Sequence, residues 1–345
     1  MNPLIFTGVP VGLAFGFVLS RGRFCMNSAF RDIIVLKEYS VLKAVGLAIL
    51  VELVGFAILA KTGLITISPG TFSWGANMLG GFVFGIGMVV AGGCASGITY
   101  RVGEGMVGAM SAVIGLIFVG LISSMGALQP FVSFLRNTTT VRLVSGENLT
   151  LANVLGIPHY ITALVIAGVA LLLWAVLTKP SCKTPSDDRP RLYSRIFKQG
   201  WRWHATGLAM GIVGIAAFYA STSAGRSYPL AITGGHLTTV KSLILGQNYI
   251  SWVSILVLST IVGAFIAAVV AGEFRLRAPA PKTLIQTFLG GCLMGFGAVL
   301  AGGCNITHIL SGVPQLALSS FLSGAFIVLG CWAAAWWMFV RPMRV

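Results

Sequence analysis

Nine apolar runs, each close to the length of a bilayer-crossing helix, follow one another along this chain with mostly short polar stretches between them. They cover roughly 4–20, 41–60, 77–92, 106–124, 160–178, 203–220, 250–271, 284–301 and 317–340. A helix that spans the hydrocarbon core needs about 20 apolar residues. Lipid satisfies no backbone polar group, so an apolar chain of this kind has to fold as helices that complete their own hydrogen bonds. Composition agrees: 56% of the 345 residues are hydrophobic and 9% charged, against about a quarter charged in an ordinary soluble domain. A soluble enzyme, a disordered chain and a disulfide-stapled secreted module are excluded. The expectation is an all-α polytopic membrane protein with about nine transmembrane helices. The first run has no basic residue before Arg21, so it reads as a retained span and not as a cleavable signal peptide.

The 23 Lys and Arg residues divide unevenly between the two sides that nine spans define. Lys61, Arg136, Arg142, Arg226 and Lys241 fall on the side of the N-terminus, 5 in all, and 18 fall on the other. Basic loops stay in the cytoplasm, so the N-terminus is expected in the periplasm and the C-terminus in the cytoplasm of a bacterial inner membrane. The net charge of +15 then reports topology, and no nucleic-acid partner is implied. The polar, Pro-containing stretch 179–202 reads as a cytoplasmic linker, whereas the outer loop 125–159 offers little chemistry.

Residues 80–94 (GGFVFGIGMVVAGGC) and 290–304 (GGCLMGFGAVLAGGC) agree at nine of fifteen positions, and Gly12-Leu-Ala-Phe-Gly16 echoes Gly207-Leu-Ala-Met-Gly211. Spans 1–4 therefore correspond to spans 6–9, with span 5 between them. An odd connector makes the second half enter from the opposite side, so the expected plan is an inverted repeat with its substrate site near the midplane. On this plan 1–178 is the first repeat plus the connecting helix, 179–202 the linker and 203–345 the second, inverted repeat. The Gly-x-x-x-Gly pairs Gly12/Gly16, Gly81/Gly85, Gly207/Gly211 and Gly291/Gly295 read as close helix packing.

Cys94 and Cys304 occupy matching positions after a Gly-Gly that ends a short span. Backbone freed at such a break must be buried in protein or line a polar cavity, so central re-entrant Gly-Gly-Cys elements are expected, one from each face. Helices that begin just after each cysteine would aim their positive ends at the centre, which favours an anion. Cys25 takes the corresponding place after the first span; the sixth has Ala220-Ser221 there and no cysteine. Cys292, Cys331 and Cys182 read as ordinary small residues. Three spaced neutral thiols are weak, soft hydrogen-bond donors, and conduction needs several weak sites in place of one deep well. Cys304 and His308 make at most a metal pair with no acidic or Met cluster beside them, so no metal is expected. With no P-loop or nucleotide-binding fingerprint, no cofactor is expected either. Arg101 can attract an anion, while Arg21 and Arg23 read as topology markers. Glu104 reads equally as a rim residue paired with Arg101 or as part of the site. His236 reads as a loop histidine. Glu52, an acid inside a span, is a functional candidate by default.

The stretches Gly-Arg-Phe-Cys25-Met-Asn-Ser-Ala-Phe-Arg-Asp32, Ala-Gly-Gly-Cys94-Ala-Ser-Gly-Ile-Thr-Tyr-Arg-Val-Gly-Glu-Gly105 and Ala-Gly-Gly-Cys304-Asn-Ile-Thr-His resemble the motifs of the YeeE/YedE family of membrane proteins, most closely its thiosulfate-uptake branch. The resemblance runs from the first span to the last. It implies uptake of thiosulfate through an hourglass-shaped inverted repeat, with the three cysteines passing the anion along by S–H···S contacts. Cys25, Cys94, Cys304, Arg101, Asn305 and His308 are then the candidate substrate-binding residues. A small cytosolic sulfur-carrier protein of the TusA type is implied as a partner, besides thiosulfate and the lipid bilayer. One departure is His236 after Thr-Gly-Gly, where a bulkier aromatic residue is expected. Three alternatives stay open: transport of another sulfur or selenium species, a membrane thiol sulfurtransferase that forms a persulfide, and a soft-metal transporter. The lack of a nearby general base and of a CxxC pair weighs against the enzyme.

Overall fold

The computed structural model describes residues 3–141, 149–177, 193–246 and 250–344. Eight helical stretches among them are long and apolar enough to cross a membrane, and the protein is a polytopic helical membrane protein. In chain order the helices are α1 (Gly8–Gly22), α2 (Met26–Val35), α3 (Ser40–Lys61), α4 (Trp74–Val90), α5 (Ala95–Gly103), α6 (Val107–Met125) and α7 (Gln129–Thr139). There follow α8 (Leu151–Leu155), α9 (His159–Leu177), α10 (Trp203–Ser223), α11 (Ile232–Leu245), α12 (Trp252–Ala271), α13 (Pro281–Ala301) and α14 (Leu318–Ala335). The two-residue strands β1 (Phe72–Ser73) and β2 (Thr140–Val141) pair antiparallel. Helix α9, the fifth apolar run, is apolar over His159–Leu172. Most of the expected linker 179–202, together with Cys182 and Arg142, lies outside the described residues.

Large apolar side chains face outward: Leu243, Leu172 and Trp337 are among the most exposed. Lipid is as apolar as leucine, so helices in a bilayer gain little from burying such residues and are held by close backbone approach instead. The four glycine pairs do this. Gly12 and Gly16 face the backbone of α12 at Leu256 and Thr260, and Gly207 and Gly211 face α3 at Ala44 and Ala48. Gly81 and Gly85 face α14 at Ser323 and Ile327, and Gly291 and Gly295 face α6 at Ala112 and Leu116. The packing assigned to these pairs from sequence is therefore what they do. In each case a helix of one half lies against a helix of the other. Helices α4 and α13 also meet directly, where a Cβ on Gly80 would stand 2.5 Å from the Ala301 nitrogen.

Four long helices stop at a break and are followed by a short helical piece. Helix α1 leads through Arg23–Cys25 to α2, and α4 through Ala91–Cys94 to α5. Helix α10 leads through 224–231 to α11, and α13 through 302–305 to a π-helical turn, Ile306–Gly312. Gly92 and Gly302 take positive φ values of 71° and 84°, where a Cβ would be strained; the Gly-Gly signal therefore marks real breaks. The break after α10 differs from expectation. Ser221 bonds the Phe218 carbonyl one turn back and the Tyr228 carbonyl beyond, so the helix runs on through Ser223. The residue preceding α11, as Cys25 precedes α2, is Ala231.

Candidate functional site

Cys25 and Cys94 are each the residue immediately before a short helix, in extended conformation, and both are buried. Their sulfurs are 3.6 Å apart, with the Cys25 thiol donating to Cys94. Cys94 Sγ also accepts from the Gly97 N–H at 3.3 Å and lies 3.4 Å from the Ser96 hydroxyl. Gly97 is what lets the sulfurs come so close to α5, since a Cβ there would stand 2.7 Å from Cys25 Sγ and 3.2 Å from Cys94 Sγ.

Cys304 is equally buried, its sulfur 3.4 Å from the Thr307 hydroxyl. The next residue, Asn305, donates from Nδ2 to the sulfur of Met26 at 3.0 Å, so the third break lies against the residue that follows Cys25. Among the described residues, Asn305 Oδ1 and His308 Nε2 are buried without a hydrogen-bond partner. The other His308 nitrogen meets the Ser320 hydroxyl at 3.2 Å, and a Cβ on Gly303 would stand 3.3 Å from Nε2. Buried polar atoms left unpaired are costly, and these two, beside a break and a thiol, offer hydrogen bonds to a polar occupant. No hydrogen bond or ion pair joins Cys304 to the Cys25–Cys94 pair among the described residues. The structure thus brings two thiols into contact and leaves the third one segment away.

Arg101 turns back toward its own break: Nη1 donates to the Gly92 carbonyl at 2.6 Å. That bond satisfies a carbonyl which the broken helix leaves open. Arg101 and Glu104 do not pair with each other. Glu104 accepts from the Ser20 hydroxyl at 2.8 Å. Arg21, read from sequence as a topology marker, is buried and paired with Glu273 at 2.7 Å, with exposed Arg23 3.5 Å from the same carboxylate. These contacts tie the ends of α1 and α5 to the loop after α12.

Three residues carry more than the sequence reading allowed. His236 is not a loop histidine: it is buried on α11, and its Nε2 meets Thr99 Oγ1 at 2.8 Å. The Thr99 hydroxyl already donates to the Ala95 carbonyl, so it accepts from His236 Nε2–H. Cys331 is more than a filler, for its thiol points at Asn27 Oδ1 at 3.7 Å, two residues after Cys25. Arg136, in the loop region that offered little, is the third. A cavity of about 560 Å³ is lined by Thr71, Ser73, Ser133, Arg136, Asn137 and Thr140. The Arg136 guanidinium reaches from it to within 3.3 Å of where a Cβ on Gly302 would stand, two residues before Cys304. No carboxylate pairs with Arg136 among the described residues. The available signal was position: few basic residues fall on that side of the spans, and of these Arg226 is committed to the Tyr228 and Pro229 carbonyls.

Broken helices, buried thiols beside the breaks and a polar pocket that holds Arg136 belong to a polytopic helical membrane protein. The sulphur-transport family (Sulf_transp) matches residues 21–333, and the chain belongs to it. Over 346 residues it is 40% identical to a protein of Spirochaeta thermophila named thiosulfate transporter TsuA, covering 98% of this chain and all of that one. It is 35% identical to the Escherichia coli thiosulfate transporter TsuA over 350 residues, covering 100% of this chain and 97% of that one. A shorter match, 35% over 97 residues, joins 28% of the chain to 23% of the E. coli probable transporter YedE. The full-length relatives are transporters, and the protein belongs among transporters.

Proposed function

We propose that this protein carries thiosulfate inward across the bacterial inner membrane, and that Cys25, Cys94 and Cys304 act in turn as neutral S–H donors to the anion. The observation that carries the reading is the meeting of the cysteine-bearing breaks: Cys25 against Cys94 at 3.6 Å, and Asn305 against Met26 at 3.0 Å. A thiolate would repel a dianion, whereas a neutral thiol holds it weakly and lets it go. Full-length identity to two proteins named for thiosulfate transport supports the substrate.

The plan behind this reading is an inverted repeat of spans 1–4 and 6–9, and the packing supports it. Helix α1 (span 1) lies on α12 (span 7), and α10 (span 6) on α3 (span 2); α4 (span 3) lies on α14 (span 9), and α13 (span 8) on α6 (span 4). Exchanging the halves turns each contact into another of the set. With the N-terminus outside, α13 ends at the outer face and α1 and α4 end at the inner one. The anion then enters by the Arg136 pocket, reaches Cys304 with Asn305 and His308, passes to the Cys25–Cys94 pair, and leaves past Arg101 toward a cytosolic sulfur carrier of the TusA type.

The Cys25–Cys94 contact also favours a second reading, a sulfurtransferase. There a thiolate attacks the outer sulfur of thiosulfate, an S–S bond forms on the cysteine and sulfite leaves. Vesicles containing only this protein separate the two. Labelled thiosulfate that accumulates intact, with the protein's mass unchanged, supports transport. Sulfite release with a persistent added sulfur on a cysteine supports the enzyme.

A further inference from the structure

Glu52 lies at the middle of α3, and Gly214, which it faces, lies at the middle of α10. The Glu52 side chain is fully buried, and neither carboxyl oxygen has a hydrogen-bond partner among the described residues. A Cβ on Gly214 would collide with the carboxyl group, so α10 leaves open the space that this acid fills. A bare carboxylate without partners is too costly at membrane depth; this site accommodates the neutral, protonated acid. The transport path described above makes no use of Glu52.

We propose that Glu52 is a proton-binding site that couples thiosulfate uptake to inward movement of a proton, which Glu52 accepts from the outer side and releases to the inner side. The inference rests on the uptake reading above. Two structural links join Glu52 to the Cys304 break. Leu53, the next residue, shares an apolar cluster with Leu316, just past the turn Ile306–Gly312. Helix α10 is tied to the same turn: the Ser221 hydroxyl donates to the Tyr228 carbonyl at 2.9 Å, and the Tyr228 hydroxyl donates to the Thr307 carbonyl at 2.8 Å. Thr307 in turn touches Cys304. Along the α3–α10 seam Gly207, Gly211 and Gly214 follow one another on the α10 side, while Ile215 meets Gly55 and Phe218 packs edge-on against Phe56 further along, so the two helices are joined as one unit. A shift of that unit which lets water reach Glu52 therefore moves the frame that holds Cys304.

Helices α10, α9 and α2 and the turn Ile306–Gly312 pack against α3. Their titratable and charged groups are His204 and Tyr219 on α10, His159 and Tyr160 on α9, Arg31 and Asp32 on α2, and His308 on the turn. Tyr219 is exposed, Arg31 and Asp32 pair at 2.7 Å, Tyr160 lies under the Lys61 ammonium and His308 bonds Ser320. None of them bonds the Glu52 carboxyl, so among the described residues no counter-charge neutralises an ionised Glu52. The charge balance gives the coupling its use. Thiosulfate carries two negative charges against an inside-negative potential, and one proton carried with it halves the net charge moved.

The test is labelled thiosulfate movement in vesicles containing only this protein, with the membrane potential clamped at zero. Thiosulfate counterflow without any gradient is read first, and then initial uptake with the interior made alkaline. Wild type is expected to show both, with uptake accelerated several-fold by the gradient and accompanied by proton entry. Glu52→Gln is expected to keep counterflow and lose the acceleration, and Glu52→Asp to recover it. Counterflow in wild type with no response to the gradient and no proton entry overturns the proton site while leaving transport intact, whatever the variants do. Unchanged acceleration in Glu52→Gln overturns it as well. Absence of counterflow in wild type overturns the uptake reading itself, and this inference with it.

Discussion

Cys25 Sγ lies 3.6 Å from Cys94 Sγ, although the two residues come from different broken helices. A disulfide has its sulfurs about 2.0 Å apart, so a small approach closes this pair. Mild oxidation of the protein in vesicles is expected to join Cys25 to Cys94 and stop uptake, and dithiothreitol to restore it. Cys25→Ser is expected to remove the oxidation sensitivity. Peptide mass mapping of the oxidised protein checks the pairing.

Gly97 sets the space around both sulfurs. In Gly97→Ala the new methyl group would stand 2.7 Å from Cys25 Sγ, closer than atoms tolerate, and overpacking of this kind costs about 1–3 kcal/mol. The variant is expected to insert and purify as wild type does, with uptake reduced by about tenfold or more and Cys25 labelled by a small maleimide at a changed rate. Uptake at the wild-type rate would show that the distance between the thiols is immaterial.

Arg136 is expected to act on capture and not on passage. Replacing it by Gln removes a charge-assisted contact of about 1.5 kcal/mol, which corresponds to roughly a tenfold rise in the KM for uptake with little change in maximal rate. Added salt screens such an attraction. Wild-type KM is therefore expected to rise with ionic strength, and the KM of Arg136→Gln to respond less. Arg136→Lys is expected to fall between the two.

Gly291 separates a packing role from a transport role. A side chain there meets the Ala112 backbone on α6, and backbone cannot yield as a flexible side chain can. Gly291→Val is expected to lower the yield of folded protein and its melting temperature in detergent, whereas Cys292→Ser, next along α13 and only half-buried, is expected to leave both unchanged. Thermal-shift and size-exclusion measurements check this.

The fold was largely legible because bilayer physics acts on composition. Eight of the nine apolar runs coincide with helices long and apolar enough to cross a membrane, and the fifth holds the shorter apolar helix His159–Leu172; the breaks at Gly92 and Gly302 fall where Gly-Gly precedes a cysteine. The cysteine positions were legible through the repeat. What escaped depends on partners distant in sequence. His236 finds Thr99 across 137 positions, and a spacing pattern within one stretch contains no sign of that bond. Arg136 gains meaning only when α7 folds over Gly302. Arg101 carries an anion-binding group, yet its nearest use is local, on the Gly92 carbonyl. Ser221 prolongs α10 beyond its expected end through a bond to Tyr228, which sequence periodicity does not weigh.

The thiol relay is the central claim, and initial rates of labelled thiosulfate uptake test it most directly, in vesicles of wild type beside Cys94→Ala and Cys304→Ala. Both variants should reach the membrane folded, as judged by yield and elution, because each loses only a weak S–H donor. The account predicts uptake by wild type and a loss of at least about tenfold, or ~1.4 kcal/mol, in each variant. Wild-type rates in both variants would contradict it, and the thiols would then be small residues that fill the breaks.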